Sequence, residues 1–595
     1  CYSVGLVGQK NITSIELRMD IQTRTFGSKN SQLFSENNPL LARIYAARGI
    51  SRLDSLDRSF ASLPSPSLLK GMPEAVDRLY DALIRDEQIV IIGDFDADGA
   101  TSSALMMLAL RDMGFEHLNF LVPNRFDYGY GLTPEIVDLA QQYSPQLIVT
   151  VDNGISSNDG VTHAGKLGIE VIITDHHLPG ECLPNATAII NPNQPGCSFP
   201  SKSLAGVGVA FYLLSGLRAK LRDEGWFIDK SLSEPNLAHW LDLVALGTVA
   251  DVVPLDQVNR IFVYQGLLRI RSGHSRPGIR ALLQISGKNP QKLMASDLGF
   301  AIGPRLNAAG RLDDISLGIQ CLLTDNLNEA RETAECLDQL NRDRKSIEKG
   351  MQSEAIIELD KLSLESQEMP SALCLFQRDW HQGVVGLVAS RLKEKYHRPV
   401  VAFARSDDGY LKGSCRSISG LHIRDALEAL ALKDPGLILK FGGHAMAAGL
   451  TMEESHLENF SNAFREHVNT VISSDDLNAR IMTDGSLEEE QINMQTASML
   501  REAGPWGQQF PEPSFQGIFK IKQQRIVGKN HLKLLLQLHS NPVYTFDAIH
   551  FNVDLDCWPS DKHQNVTCVY RLEINEFRGK ESLQLVIEYM APESV

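Results

Sequence analysis

The chain has 595 residues, 43% of them apolar and 22% charged, with a formal net charge of −16. That length predicts roughly two to four domains, and that composition excludes wholesale disorder. No stretch approaches the roughly 20 consecutive apolar residues of a membrane span. The acidic total excludes a uniformly basic surface for nucleic acid, leaving only a confined one.

In chain order, "CYSVGLVGQKNITS" lacks the basic segment and long apolar core of a secretory leader. Residues 1–45 are read as an N-terminal extension, with Met19 a candidate start. The nine cysteines stand singly, without C-x-x-C spacing. This argues against a zinc ribbon or a disulfide framework and predicts a cytoplasmic protein.

From residue 88 one unit repeats. "QIVIIGDFD", "PQLIVTVDNG" and "IEVIITDHH" are β-branched apolar runs that end in acids or imidazoles. "TSSALMMLALRDMGF" and "GVTHAGKLG" supply helical spacing between them. Strands alternating with helices predict an α/β fold with a parallel sheet, and ligands in such sheets gather beyond the carboxyl ends of the strands.

Those strand ends carry the chemistry. Asp94, Asp96 and Asp98 alternate in "GDFDADG" and, on an extended chain, would share one face. Three carboxylates so close repel one another unless a cation neutralises them. The alternative is a solvated turn. Asp152 ends the second run, and His176 and His177 end the third. Neighbouring side chains on a strand point to opposite faces, so both imidazoles cannot be core residues there. Asp251, in "LVALGTVADVVPL", is a helix cap, a buried hydrogen-bonding carboxylate, or a cation partner. Several acid-bearing or imidazole-bearing ends together favour a metal centre of hard oxygen ligands with few nitrogens, suited to Mg²⁺ or Mn²⁺.

Further on, "GPRLNAAGRL" predicts a Gly-bounded turn with Arg305, Asn307 and Arg311, either structural or phosphate-binding. Residues 324–365 read as a long connecting helix, broken once at most. A second, smaller α/β unit follows over 366–470. Within it, His381–Leu450 holds ten Lys and Arg against six Asp and Glu, a confined basic window. In "FGGHAMAAGL", Gly442 and Gly443 let a main chain approach, beside His444. Residues 471–595 end in alternating apolar and polar runs that predict a small β-barrel, with an OB-fold favoured. Its Lys520, Lys522, Arg525, Lys529 and Lys533 form either a solvated face or a single-strand-binding one.

GDFDADG, VDNG, DHH and GTVADVVPL, in this order and spacing, resemble the four motifs of the DHH phosphoesterases. "LVPNRFDYGYGL", "KSLAGVGVAFYLL", "WHQGVVGLVASRLKEK", "LKFGGHAMAAGL" and "AGPWGQQFPEP" extend the resemblance to the RecJ exonucleases, over roughly residues 35–590. One departure stands out: Ser414, Cys415 and Arg416 where that family usually reads Ser-Gly-Arg. The added side chain is expected to lie beside the pocket and to narrow it or expose a thiol.

The resemblance implies a DHH domain over 46–323 and a DHH-associated domain over 366–470, walling an open cleft that admits single strands. It implies that Asp96, Asp98, Asp152, His176 and Asp251 hold two divalent ions, with Asp152 bridging and Asp94 an additional ligand. His177 would face the substrate phosphate. Mn²⁺ is favoured over Mg²⁺ because an imidazole is included. Arg125, Ser414 and Arg416 would read a 5′-phosphate, and Arg305, Asn307, Arg311 and His444 would contact the strand. The implied activity is a 5′-to-3′ exonuclease on single-stranded DNA that releases mononucleotides in recombination and repair. The implied state is a monomer that meets single-strand-binding protein and a RecQ-type helicase, with no membrane. Competing readings are a DHH phosphodiesterase for short oligonucleotides or cyclic dinucleotides, and a non-catalytic DNA-binding scaffold.

Overall fold

The computed structural model describes residues 19–25, 38–123, 128, 131–366, 369–406, 408–555, 558–559 and 564–593. The chain forms two compact units, residues 27–343 with 502–512, and residues 1–26 with 344–501 and 513–595. The first described strand, β1 (Asp20–Thr23), belongs to the latter.

The unit of residues 27–343 is built on five parallel strands: β2 (Ile89–Gly93), β3 (Leu118–Leu121), β4 (Leu147–Val151), β5 (Glu170–Thr174) and β6 (Ala188–Ile190). Their order is β3-β2-β4-β5-β6. β2 and β4 are buried at every position, as expected of parallel strands covered on both faces. On one face Val90, Ile92, Ile148 and Ile173 pack against Leu132, Ile136, Val137, Val161 and Ala164. The chain leaves β2 for β3 on one side and reaches β4 on the other. The order therefore reverses between β2 and β4, which is where a crevice opens in such sheets.

Helices α1 (Ala97–Asp112), α2 (Gly206–Asp223) and α3 (Leu241–Ala250) pack behind that crevice, and α4 (Gly303–Leu312) follows a single π-helical turn, Leu298–Ile302. The segment 502–512 docks on this unit through apolar and aromatic contacts. Trp506 stacks on Phe510 at 5.1 Å, Arg260 lies 4.4 Å over the Phe510 ring, and Tyr45 donates a hydrogen bond to the Ala503 carbonyl.

Helix α5 (Leu327–Ser366) is the long connecting helix, continuous over 40 residues without the one break allowed for it. In the second unit, a sheet of β7 (Leu373–Phe376), β8 (Val400–Arg405), β9 (Leu411–Arg416), β10 (Lys440–Gly443) and β11 (Ala447–Met452) has the order β10-β11-β9-β8-β7. Only β7 and β8 run parallel in it. Helix α6 (Val385–Tyr396) crosses from β7 to β8. β12 (Arg480–Thr483) pairs in parallel with β1, so Asp20–Thr23, within the stretch read as an extension, is a strand of this unit. The last five strands, β13 (Phe515–Val527), β14 (His531–Leu538), β15 (Thr545–His550), β16 (Asn565–Phe577) and β17 (Lys580–Pro592), close a barrel in the order β13-β14-β15-β17-β16. Phe515, Phe519, Leu536, Val569 and Tyr570 are buried there. No helix among the described residues is long and apolar enough to cross a membrane.

Candidate active site

The acids converge at the crevice between β2 and β4. Asp94 directly follows β2 and is buried, its Oδ1 accepting from the Phe95 N–H at 2.8 Å. The chain then turns at once into α1 and does not stay extended, which corrects the expectation that Asp94, Asp96 and Asp98 share a strand face. Asp96 is the N-cap of α1, and its Oδ1 accepts from the N–H groups of Asp98 and Gly99 at 2.9 and 3.1 Å. Asp98 sits in the first helical turn. It accepts from the N–H groups of Gly206 (2.6 Å) and Val207 (3.0 Å) at the start of α2.

Asp152 follows β4 with φ of 62°, a left-handed conformation unusual for a non-glycine residue. Such strain persists where the surroundings over-determine it. Here the Asp152 N–H donates to the Thr174 carbonyl of β5 at 3.0 Å. A Cβ on Gly206 would lie 2.7 Å from Asp152 Oδ1, and one on Gly247 would lie 2.7 Å from Asp98 Oδ1. Only glycine lets α2 and α3 approach the acids this closely. Asp251 is the C-cap of α3, the helix-cap place weighed for it, and its carboxylate also points into the cluster.

β5 ends at Thr174, so Asp175, His176 and His177 lie in a loop. The two imidazoles lie side by side, ring centroids 4.4 Å apart, not on opposite faces. His176 Nε2 is 3.0 Å from Asp152 Oδ1 and 3.5 Å from Asp251 Oδ2. His177 turns its Nδ1 to Asp175, at 2.7 Å. Asp175 is buried and accepts from the N–H groups of His176, His177 and Ile155 as well. Asn191 and Asn193 tie the carbonyls of His177 and His176 at 2.9 and 2.6 Å. Sequence reasoning gave no role to Asp175, Asn191 or Asn193. The spacing of Asp175 before two histidines, apt for a local side-chain-to-backbone bond, was the available signal.

Ligand atoms of Asp94, Asp96 and Asp152 lie within 4.8 Å of one another, as do those of Asp98, His176 and Asp251, and those of Asp152, His176 and His177. Burial pushes the Asp98 carboxyl up to about 7, with the Asp96 charge adding to the effect. Burial first, then the charges of Asp98 and Asp96, hold Asp152 and Asp251 well above the ordinary carboxylate range. Burial alone would depress His177. The Asp175 hydrogen bond and charge outweigh it and raise the imidazole to about 9. Carboxylates forced together against their own repulsion, with one imidazole among them, fit hard divalent cations.

"GPRLNAAGRL" is helix α4, not a turn. Arg305 donates from Nε and Nη2 to the buried Asp338, at 2.9 and 2.7 Å. Asn307 Oδ1 accepts from the Ala97 N–H at 2.7 Å, holding the first residue of α1 in place. Arg311 lies in the last turn of α4. Arg125 lies outside the described residues.

Ser414, Arg416 and His444 belong to the second unit, on and beside its sheet. On β9 the burial alternates, so Ser414 and Arg416 share the face toward α6. Arg416 donates to Ser390 Oγ at 3.1 Å, Ser414 Oγ at 3.1 Å and the Cys415 carbonyl at 2.8 Å. Cys415 points the other way and is fully buried among Val401, Phe403, Leu427 and Phe460. It therefore neither narrows a pocket nor exposes a thiol, contrary to the expectation. Its side chain fills core. His444 is exposed in the turn from β10 to β11, next to Ala447, the cross-strand partner of Arg416.

Three family models match the chain: the DHH family N-terminal domain over residues 88–248, the DHHA1 domain over 370–470 and the RecJ OB domain over 483–589. The single-stranded-DNA-specific exonuclease RecJ of Salmonella typhimurium strain LT2 is 55% identical over 570 residues, 96% of this chain and 98% of that protein. The protein of the same description from Escherichia coli K12 is 54% identical over 565 residues, 95% and 98% of the two chains. Among solved structures, RecJ of Thermus thermophilus in complex with Mn²⁺ matches with a TM-score of 0.78 and 28% identity, covering 97% of this chain and 80% of that one. Its complex with Mg²⁺ matches at 0.72 and 27%, covering 97% and 79%. With all three modules in sequence and identity above one half along nearly the whole length, the chain belongs to the RecJ family of DHH exonucleases.

Proposed function

We propose that this chain is a single-stranded-DNA-specific exonuclease that degrades its substrate 5′ to 3′ to mononucleotides, by phosphodiester hydrolysis at two divalent ions. The observation that carries the chemistry is the cluster of Asp94, Asp96, Asp98, Asp152, His176 and Asp251, with ligand atoms within 4.8 Å in each group. Asp152 is the bridging ligand in this reading, because its carboxylate takes part in groups with both the DFDAD acids and the histidines. Mn²⁺ is favoured and Mg²⁺ accepted, in keeping with one imidazole among oxygen ligands. A bound ion pair would lower the pKa of an attacking water and stabilise the attacking and leaving oxygens.

The protein's own groups do the rest. Asp96 and Asp98 are held by helix N–H groups, so their remaining lone pairs are aimed before any ligand arrives. His177, with Nδ1 held by Asp175, offers Nε2 as a hydrogen-bond donor for a phosphate oxygen. Asn307 and Arg305 act by position, the first on the start of α1 and the second on α5. Arg311, Arg125, Ser414, Arg416 and His444 are the proposed strand contacts. The barrel adds a basic strip in which Arg525 and Lys533 are direct cross-strand partners.

In the cell the reading is a cytoplasmic monomer of recombination and repair, in keeping with the singly placed cysteines, with single-strand-binding protein and a RecQ-type helicase as the partners implied by family resemblance. The division at 46–323, 324–365, 366–470 and 471–595 is proposed as the functional one. The test is release of nucleotides from end-labelled single strands and from the matching duplex, with Mn²⁺ and with chelator. Metal-dependent release from the single strand alone is expected. Equal attack on duplex, or release from the 3′ end first, would overturn it.

A further inference from the structure

Phe300 is 85% exposed, the most exposed large apolar side chain among the described residues of 27–343. It stands on the π-helical turn Leu298–Ile302, between the short helix Ala295–Asp297 and α4. A π-turn inserts an extra residue into a helix, and one residue corresponds to a rotation of about 100°. Leu298, Ala301 and Ile302 are buried on either side of it, so the turn faces inward through them and leaves Phe300 outside. An isolated exposed apolar residue needs no explanation. The location of this one does.

The π-turn is packed against the last residues of α3. A Cβ on Gly299 would lie 3.2 Å from Val249 Cγ1, and one on Gly303 would lie 3.2 Å from Ala250 Cβ. Asp251 is the next residue, its Oδ2 3.5 Å from His176 Nε2. Asp251 lies two residues beyond Val249, at most about 7 Å of chain. Helix α4, which continues from the π-turn, is pinned in its turn to the acid-bearing loop, through Asn307 on the Ala97 N–H. Phe300 thus rides on an element clamped to both flanks of the metal cluster. Val252, just past Asp251, is 62% exposed with φ of 62°. For a β-branched residue that backbone is a genuine outlier, and it leaves a second apolar side chain exposed, directly after Asp251.

We infer that Phe300 is a stacking platform for a nucleobase of the single strand, one or two nucleotides from the phosphate at the metal cluster. The inference rests on the nuclease reading above. A rim beside four or more carboxylates repels phosphates wherever no cation intervenes, whereas the face of a base is uncharged and stacks on phenylalanine whatever its identity. A platform of this kind holds any base while the neighbouring phosphate is cut, without sequence preference. Phe300 is here a positioning residue; it touches no reacting atom.

The test uses the full chain, Mn²⁺ and short 5′-phosphorylated single strands, intact or with abasic nucleotides in the first few positions. Phe300→Ala should lower kcat/KM on intact strands about five- to a hundredfold, the range of one lost base stack. Phe300→Trp should keep most of the activity. On abasic strands, wild type should fall to the level of Phe300→Ala, and the two should no longer differ. A variant that cuts intact strands as wild type does, or a deficit equally large on abasic strands, would overturn the assignment. If wild type releases nothing with Mn²⁺, the nuclease reading itself fails, and that outcome is distinct from either.

Discussion

Nδ1 of His177 lies 2.7 Å from Oδ1 of Asp175, and the same oxygen accepts the backbone N–H groups of His176 and His177. One buried carboxylate therefore orients both imidazoles. His176 faces Asp152 and Asp251, while His177 pairs with Asp175 and has a third of its side chain exposed. The two histidines should respond differently to loss. His176→Ala should lose bound Mn²⁺ by elemental analysis, and His177→Ala should keep it, with turnover crippled in both. Asp175→Asn keeps one acceptor oxygen of two and should cost about 10–100-fold in activity, as loss of an orienting partner does. Equal metal loss in the two alanine variants would reverse the roles given to the rings.

Asp152→Asn should abolish cleavage and leave the fold intact. Asparagine is among the few residues that tolerate the left-handed backbone found at 152, and neutralising the group relieves repulsion in the metal-free cluster. Activity below about a tenth of wild type is expected, since a lost bridging ligand removes several kcal/mol of transition-state stabilisation. Circular dichroism and a nuclease assay on one preparation decide it. Retained cleavage would exclude the bridging role.

Much of this was legible in the sequence because strand ends announce themselves. An apolar run that stops at an acid can be read without coordinates, and Asp94, Asp152 and the histidine pair were found that way. The conformation after each run could not be read. A three-residue acidic alternation suits a strand and a helix N-terminus equally, and Asp96 as N-cap wins because its oxygen satisfies two orphan N–H groups. "GPRLNAAGRL" looked like a turn because of its glycines. Those glycines instead sit in a helix, where Gly310 lets it pass against the Phe95 carbonyl. Asp175 was in plain view but silent, since its role depends on which way a side chain folds back.

The cluster also sets a pH dependence. Asp98, Asp152 and Asp251 are raised above their unfolded values, Asp98 to about 7. In metal-free protein the native state then binds more protons than the unfolded chain, so stability falls as pH rises from about 4 through 7. Divalent ions should reverse the trend by binding the ionised form. Thermal melts with chelator are expected to show a lower Tm at pH 8 than at pH 5.5, and saturating Mn²⁺ should raise Tm most at pH 8. A chelated protein as stable at pH 8 as at pH 5.5 would show that the acids are not held against their repulsion.

Cys415 supplies a separate test, because the sequence and the structure disagree on it. Buried in the core of the β7–β11 sheet, its thiol is pushed far up by burial. It should resist thiol reagents until the protein unfolds. Cys415→Gly, which restores the usual family residue, should destabilise the protein by about 1–3 kcal/mol through a cavity and a freer strand, with little change in cleavage. Rapid labelling of native Cys415 would mean that the side chain lies at the surface.

The last prediction concerns polarity. A nuclease that starts at an end needs a reader for that end, and a terminal phosphate carries more charge than an internal one. Arg416 is suited to the task by its setting. Its Nε is held by Ser390 Oγ and its Nη1 by Ser414 Oγ and the Cys415 carbonyl, so the guanidinium plane is fixed before any ligand binds. Burial lowers its pKa, and no carboxylate among the described residues pairs with it in the contacts seen. A largely desolvated cation without an acidic partner favours an anion from outside. Gly386 leaves the approach open, since a Cβ there would lie 3.0 Å from Arg416 Nη2. Strands with a 5′-phosphate should therefore be degraded faster than 5′-hydroxyl strands, by about tenfold or more for one charge-assisted contact. Arg416→Ala should erase most of that ratio while leaving the slower 5′-hydroxyl rate nearly unchanged. Gly386→Ala should reduce it by crowding the same nitrogen. Both ends are compared with wild type and variants at one salt concentration, since phosphate contacts are salt-dependent. Equal rates on the two substrates with wild-type protein would remove Arg416 from the reading of the 5′ end.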